Sequence, residues 1–404
     1  TFFNVATAYA RQNNRNVVTE GAEMGTSPFT TIDPNEGLAL VPIPAGVAPE
    51  DDTNDCDLIV GDQYGRDRHG RRCVVVKVKD VAGLIPGAYS GLGKGNKFLD
   101  DLCEAHALVH VLDASGMSDE KGVILPEGGG DPSADLDWIA REVLLWITTN
   151  VKKKFGSVLR GGEGRFVNLF TGYRCKPELI IRCLEQSKRK ECAQDDPALW
   201  DDVDLRRFVS LFSAVRFPTV VAMNKIDKSV DYCVAIENAS VAAVKVSALD
   251  ELVIVDRSLT HTTDTTNCER PSSVSETLSR ALELVDPVYI FPVVNFDAYD
   301  SLPIDTVGVP DKNYKILKGF GGTEPRRKMP LSSMVLMRRG STVMDLFEHL
   351  KSTGDIAGMF VRAEAAGKIG EKSRQVSKAQ ILGDDCMIIR IQTNKKLSHA
   401  QQKG

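Results

Sequence analysis

The chain has 404 residues, of which 42% are hydrophobic, and its formal net charge is −5. This length can bury a large core and favours two or three domains, while no apolar run approaches the roughly 20 residues that span a membrane. The nine cysteines are scattered without a CxxC pair, which argues against a disulfide or zinc framework. We therefore expect a cytoplasmic protein without a membrane contact.

The N-terminal part contains one predicted helix followed by three predicted strands. A helical pattern covers residues 1–11, and strands are expected at 38–43, 73–78 and 108–112. The segment 80–98, DVAGLIPGAYSGLGKGNKF, begins just past the second strand and contains five glycines. Because glycine is costly to order, this density indicates a backbone that other residues cannot supply.

Two histidines raise the question of a metal site. His106 and His110 are four residues apart, a spacing that on a helix can bring both rings to one metal ion. His110, however, falls within the expected strand 108–112. We therefore favour ordinary packing for both.

The central part is predicted to be a helical insertion between strands. Residues 116–134 are rich in glycine and acidic residues, as in a flexible connection, and helical periodicity continues from about 136 to 215. Strands are expected again at 219–223 and 243–246. This alternation predicts an α/β fold with a doubly wound, mostly parallel sheet, in which ligands bind beyond the carboxyl ends of the strands.

Two residue clusters suit the phosphate end of a nucleotide. Asp80 and Gly83 form a DxxG motif, in which the carboxylate can reach the shell of a Mg²⁺ ion and the glycine amide can approach a terminal phosphate. Thr31 lies upstream, where a switch threonine would ligate Mg²⁺ when a γ-phosphate is present. DxxG alone is very common, and taken by itself it is better interpreted as a plain turn.

Two further clusters suit a guanine base. Asn224, Lys225 and Asp227 form an NKxD motif directly after a predicted strand. The Asp227 carboxylate can accept hydrogen bonds from N1–H and the 2-amino group of guanine, a pattern that adenine lacks. Asn224 and the stem of Lys225 would hold the base and its loop. After the next strand comes Ser247-Ala248-Leu249, where a backbone amide can meet the guanine oxygen. Together the four clusters, each in the expected order near a strand end, predict a site for GTP and Mg²⁺.

These motifs carry a family resemblance. The segment DVAGLIPGAYSGLGKGNKFLDDL, with PFTTIDPNEG before it and NKID and SAL after it, resembles the Obg-type GTPases. The helical insertion between DxxG and NKxD resembles that of the YchF-like branch. Residues 335–350 and 372–393 resemble a TGS domain, a small β-grasp module that is linked in this family to RNA or ribosome contacts.

The resemblance covers nearly the whole chain and implies a domain organisation. A P-loop GTPase G domain is expected in two parts, residues 1–120, which lack the P-loop, and residues 216–303. A helical insertion is expected at 121–215, and a basic linker with a TGS domain at 304–404.

Two departures from the family pattern bear on function. Many YchF proteins carry Glu at the position of Asp227 and use ATP, so the Asp implies GTP here. In the family, STFFN directly follows the Gly-Lys-Ser of the P-loop, whereas this chain opens at Thr1-Phe2-Phe3-Asn4. The GLGKGN segment at 91–96 does not replace the P-loop, because no Ser or Thr follows Lys94. We therefore expect the chain from Thr1 onwards to bind GTP poorly.

Two interpretations of this opening stay possible. In the first, the sequence is a fragment or an incomplete gene model of a working GTPase. In the second, it is a degenerate, nucleotide-free relative that serves as an RNA- or protein-binding adaptor through its TGS domain. The retained switch and base motifs favour the first. No catalytic residue is assigned: Leu84 follows Gly83 where many GTPases place a water-orienting Gln, so hydrolysis is expected to be slow.

The C-terminal quarter differs in charge from the rest. Residues 304–404 contain 18 Lys and Arg against 10 Asp and Glu, a balance of +8, which leaves −13 for residues 1–303. This balance, with Arg326, Arg327 and Lys328, fits RNA or the ribosome as a partner, and fits a solvated basic face equally well. No DNA contact is expected.

Overall fold

A computed structural model gives the fold of the chain. It describes residues 1–13, 34–47, 64–67, 70–81, 87, 100–118, 125, 130–189, 196–228, 242–260, 272–302, 304 and 330–395. The helices are α1 (Phe2–Asn13), α2 (Pro132–Lys154), α3 (Val158–Asn168), α4 (Pro177–Arg189), α5 (Asp202–Arg216), α6 (Ala248–Thr260), α7 (Ser273–Val285) and α8 (Val343–Ser352). The strands are β1 (Asn35–Pro42), β2 (Cys73–Asp80), β3 (Leu108–Asp113), β4 (Thr219–Asn224), β5 (Ala243–Lys245), β6 (Val288–Pro292), β7 (Val335–Met337), β8 (Phe360–Ala366), β9 (Arg374–Val376) and β10 (Ile388–Thr393).

A parallel sheet in the order β3-β4-β5 positions the motifs at 224–227 and 247–249. Successive residues of β4 face opposite sides of this sheet. Val220 lies in a core with residues of α6 and α7, whereas Met223 packs in a second cluster with Leu136 of α2. Helices thus cover both faces, which explains why β4 is apolar along almost its whole length.

β1 and β2 form an antiparallel ladder from the Asn35–Asp80 pair to the Pro42–Cys73 pair. Ala39 of β1 lies in the same core as β4. Gly37 lets α1 approach closely, because a Cβ at this position would lie 2.5 Å from the Thr7 side chain. α1 is therefore held against the sheet edge that carries Asp80.

The helical insertion has its own aromatic core, built by α2 to α5. Phe166 stands at its centre, with ring centroids 5.2, 4.9 and 5.0 Å from those of Phe170, Trp200 and Phe208. Such tilted and edge-to-face pairs contribute about 0.5–1.5 kcal/mol each beyond their buried area. α5 is capped by Asp201, the residue before it, whose carboxylate accepts hydrogen bonds from two backbone amides of the first turn.

The C-terminal part forms a mixed sheet in the order β7-β6-β10-β8-β9. β6 pairs parallel with β10 and antiparallel with β7, and α8 packs on the sheet through Leu346 and Phe347. α8 begins with a capping box formed by Thr342 and Asp345. The expected division after residue 303 falls between β6 and β7, which pair with each other in this sheet.

The described strands follow the sequence predictions closely, with one correction at Asp80. This residue was expected just past its strand, but it is the last paired residue of β2, because the ladder continues to Asn35. His110 lies within β3, and the described residues contain no group of His, Cys, Asp and Glu suited to a metal ion. None of the described helices is long and apolar enough to cross a membrane.

Candidate nucleotide-binding site

The site is built at the carboxyl ends of the parallel strands β3, β4 and β5. The parallel register places Asp113, the last residue of β3, opposite Asn224, the last residue of β4. The Asn224 side-chain oxygen accepts a hydrogen bond from the Ala248 amide at 3.1 Å. Asn224 therefore ties the end of β4 to the start of α6, and its side-chain NH₂ group is left to donate to a ligand.

Lys225 is held by an ion pair across these strand ends. Its backbone is left-handed, with φ of 61°, and its Nζ lies 2.6 Å from Asp113 Oδ2. Asp113 also accepts from the hydroxyls of Ser115 and Ser118. Burial alone would raise the pKa of Asp113, but these hydrogen bonds and Lys225 outweigh it and hold the pKa below its usual value.

Asp227 presents an exposed carboxylate beside this cluster. It lies in a short 3₁₀ helix, Ile226–Lys228, and its Oδ1 accepts from the Ser247 hydroxyl at 2.8 Å. The same hydroxyl lies 2.7 Å from Asp250 Oδ2. A hydroxyl has one proton, so it donates to one carboxylate at a time. The other oxygen of Asp227 stays available for N–H donors.

The three residues of the Ser247-Ala248-Leu249 segment differ in what they can offer a ligand. The buried Ala248 amide already donates to Asn224, so it is engaged rather than free for a ligand. Leu249, in the first turn of α6, is 53% exposed. Ser247 is the residue of this segment that contacts Asp227.

Asp80 lies on the antiparallel ladder, apart from the cluster around Asn224. Its Oδ2 accepts from Asn35 Nδ2 at 3.4 Å. Burial raises the pKa of Asp80, and both the Asn35 hydrogen bond and the nearby amino group of Thr1 oppose this shift. Asp80 and the start of α1 are thus neighbours, as a phosphate site at a helix N-terminus requires.

Two predicted ligands, Gly83 and Thr31, lie outside the described residues. Within the glycine-rich segment the structure describes Gly87, whose φ of 89° favours glycine. Its amide donates to the buried Glu142 carboxylate of α2 at 2.9 Å. The glycine-rich segment therefore contacts the helical insertion.

Sequence reasoning missed Asp113, Ser115 and Ser118. The signal was present as Asp-Ala-Ser directly after the predicted strand 108–112, at the same sheet edge as the NKxD motif. Asp250, which shares the Ser247 hydroxyl, was missed as well.

The chain is similar in sequence to known proteins that are named for nucleotide binding. No protein-family model matches the chain. It is 38% identical over 214 residues to the uncharacterized GTP-binding protein C428.15 of Schizosaccharomyces pombe, a match that covers 51% of this chain and 50% of that protein. It is 32% identical over 146 residues to the ribosome-binding ATPase YchF of Bacillus subtilis, covering 35% of each. The chain thus spans half or less of the length of these relatives.

A solved structure shares the fold over nearly the whole chain. The crystal structure of a GTP-binding protein from Pyrococcus horikoshii OT3 matches with a TM-score of 0.57 and 20% identity, over 97% of this chain and 95% of that one. The chain thus has the fold of an α/β protein that is named GTP-binding, and it is similar in sequence to another protein of that name. More particularly, its relatives include YchF and other proteins named GTP-binding, so the resemblance to the Obg/YchF-like family that was predicted from the sequence is confirmed.

Proposed function

We propose that this protein binds GTP at the carboxyl ends of β4 and β5 and works as a GTPase switch. The observation that carries the proposal is the position of Asp227, exposed at a strand end and held at 2.8 Å by Ser247. A carboxylate so held can accept N1–H and the 2-amino group of guanine together. Adenine offers an acceptor in place of N1–H and has no 2-amino group, so the site favours GTP over ATP.

Two neighbours of Asp227 support this assignment. Asn224 keeps its NH₂ group for the base, and the Lys225 stem, anchored through Asp113, would lie along the ring. Ser247 and Ala248 brace these side chains, and Leu249 lies beside them. Each group acts by binding and orienting the base.

The phosphate end of the site is proposed to lie at Asp80. Its half-buried carboxylate offers the hard oxygen that Mg²⁺ prefers, and nucleotide-bound Mg²⁺ needs only one or two protein ligands. Asp80 and Thr31 would hold this ion, and the Gly83 amide would approach the γ-phosphate. When bound, Mg²⁺ neutralises phosphate charge during hydrolysis.

We further propose the domain division made from the sequence, with a TGS domain that contacts RNA or the ribosome in the cytoplasm. α8 and the strands β7 to β10 support a C-terminal module, to whose sheet β6 also belongs, and the +8 balance of residues 304–404 supports a polyanionic partner. The relative named ribosome-binding ATPase YchF adds support for the ribosome.

A nucleotide titration tests the proposal. In protein that carries a Gly-x-x-x-x-Gly-Lys-Ser segment ahead of Thr1, GTP is expected to bind at least about 10-fold more tightly than ATP, given 1–3 kcal/mol for an unpaired buried group. Slow hydrolysis that depends on Mg²⁺ is expected from the same protein, and none above background from residues 1–404 alone. Equal affinity for GTP and ATP would contradict the guanine assignment.

A further inference from the structure

The helical insertion carries a cluster of exposed cations at the junction of α2 and α3. We name it the basic tip, and it consists of Lys153, Lys154, Arg160 and Arg165. The chain as a whole is acidic, with a net charge of −5, so this local excess of positive charge runs against the composition.

The acidic side chains close to the basic tip are already paired with other cations. Asp202 forms an ion pair with Lys152, and Glu163 forms one with Lys188 at 3.1 Å. Within the part of the chain that the structure describes, the four cations of the basic tip form no ion pair. Their charge is therefore open to a partner.

The backbone holds the basic tip in a defined shape. Phe155, between the two helices, packs on Phe166 of the aromatic core with ring centroids 6.4 Å apart. Gly162 interrupts α3 with φ of 58° and ψ of −153°, a conformation open essentially to glycine. The Arg165 stem lies over Gly161, where a Cβ would come within 2.3 Å of Arg165 Cγ. The tip thus combines exposed cations with open space beside the backbone of Gly162.

The helix dipole explains only part of the cluster. Lys153 and Lys154 lie in the last turn of α2, where cations complement the helix C-terminus. Arg165 likewise lies in the last turn of α3, whereas Arg160 lies in its first turn, where a cation has no such role. Arginine suits phosphate groups because its planar guanidinium donates two parallel hydrogen bonds.

We propose that the basic tip binds the phosphate backbone of RNA, as a contact separate from the C-terminal module. This proposal rests on the proposed function, in which RNA is the polyanionic partner. The cations are spread over two helices around exposed glycines, which lets a sugar–phosphate chain approach the backbone closely.

The test measures binding of the full chain to a fluorescently labelled single-stranded RNA at several KCl concentrations. Replacing Arg160 and Arg165 with alanine should reduce the log–log salt slope by about 1.4, since each neutralised phosphate contributes about 0.7. Replacing Lys153 and Lys154 should do the same.

Two controls separate the tip from overall charge. Replacing Arg182 and Arg280, two exposed arginines elsewhere, changes the net charge equally and should leave the slope unaltered. Replacing Arg160 and Arg165 with lysine keeps both charges and should preserve most of the slope.

Three outcomes would overturn the proposal. Equal salt slopes for the tip and control variants would contradict RNA binding by the basic tip and would leave RNA binding by the C-terminal module unaffected. No RNA binding by the full chain would do so as well, and a nucleotide titration of the same protein would show whether the GTP assignment survives. Tip-dependent capture by anionic lipid vesicles without RNA binding would assign the surface to a membrane instead.

Discussion

Lys225 Nζ lies 2.6 Å from Asp113 Oδ2, although the two residues are 112 positions apart in the sequence. The pair joins the carboxyl ends of two adjacent parallel strands, so it fixes the direction in which the Lys225 stem leaves the NKxD loop. Asp113 is in turn held by Ser115 and Ser118. This side chain therefore acts as a positioning residue for the proposed base site.

Replacing Asp113 with alanine should weaken GTP binding in protein that carries a P-loop. Lys225 would then be free to move, and its stem would be ordered only when the base binds, at a cost of about 1 kcal/mol or roughly 5-fold in affinity. Titration with a fluorescent GTP analogue measures the change. Ser118→Ala, which removes one hydrogen bond to Asp113 and keeps the ion pair, should have a smaller effect. Unaltered affinity in Asp113→Ala would remove this residue from the site.

Asp227→Asn should change which base the site prefers. The asparagine amide presents a donor to the 2-amino group of guanine, so GTP affinity should fall about 10- to 100-fold. Xanthine has a carbonyl oxygen in place of this amino group and can accept from the new amide. Competition between GTP and xanthosine triphosphate measures the switch. A variant that keeps its preference for GTP would show that Asp227 does not contact the base.

Arg216 should be important for stability. It is 4% exposed, and its guanidinium donates to the carbonyls of Tyr173, Ala105 and Cys103 at 2.9, 2.8 and 2.6 Å. Arg216→Ala leaves these buried acceptors without a donor and should lower the free energy of unfolding by about 3 kcal/mol.

Urea unfolding of Arg216→Ala measures this loss. Arg206 on the same helix is exposed, and Arg206→Ala should change stability by no more than about 0.5 kcal/mol. Equal, small effects from both substitutions would show that the three carbonyls find other donors.

His110 should make stability depend on pH. Burial lowers its pKa from 6.5 to about 4. The unfolded chain therefore binds a proton at His110 below about pH 6.5, whereas the folded chain binds it only near pH 4. Stability from this group is complete above pH 6.5 and is lost as the pH falls from 6.5 towards 4.

The expected loss from His110 is about 1–2 kcal/mol between pH 7.5 and pH 5. Urea unfolding at both pH values measures it, with His110→Gln as the comparison. The variant should lose less stability on acidification than the parent chain. An identical pH dependence would show that His110 titrates alike in both states.

The strand ends were predictable from sequence because they depend on local pattern. Residues 220–223 of β4 form a continuous apolar run, and Asn224 ends the strand. A buried strand that ends in a polar residue is recognisable from this local pattern alone. The prediction of an α/β fold needed only the alternation of such runs with helical periodicity. The family resemblance followed from short motifs, whose order along the chain does not depend on the loops between them.

The tertiary structure decided which residues meet. Asp113 and Lys225 pair only because β3 and β4 are adjacent and in register, and the long helical insertion between them hides this from any sequence window. A backbone amide of Ser247-Ala248-Leu249 was expected to meet the guanine oxygen, but the Ala248 amide is engaged by Asn224, since both lie where β4 and α6 come together. Contacts between distant segments depend on sheet order and register, and these are set by packing across the whole chain rather than by local residue pattern.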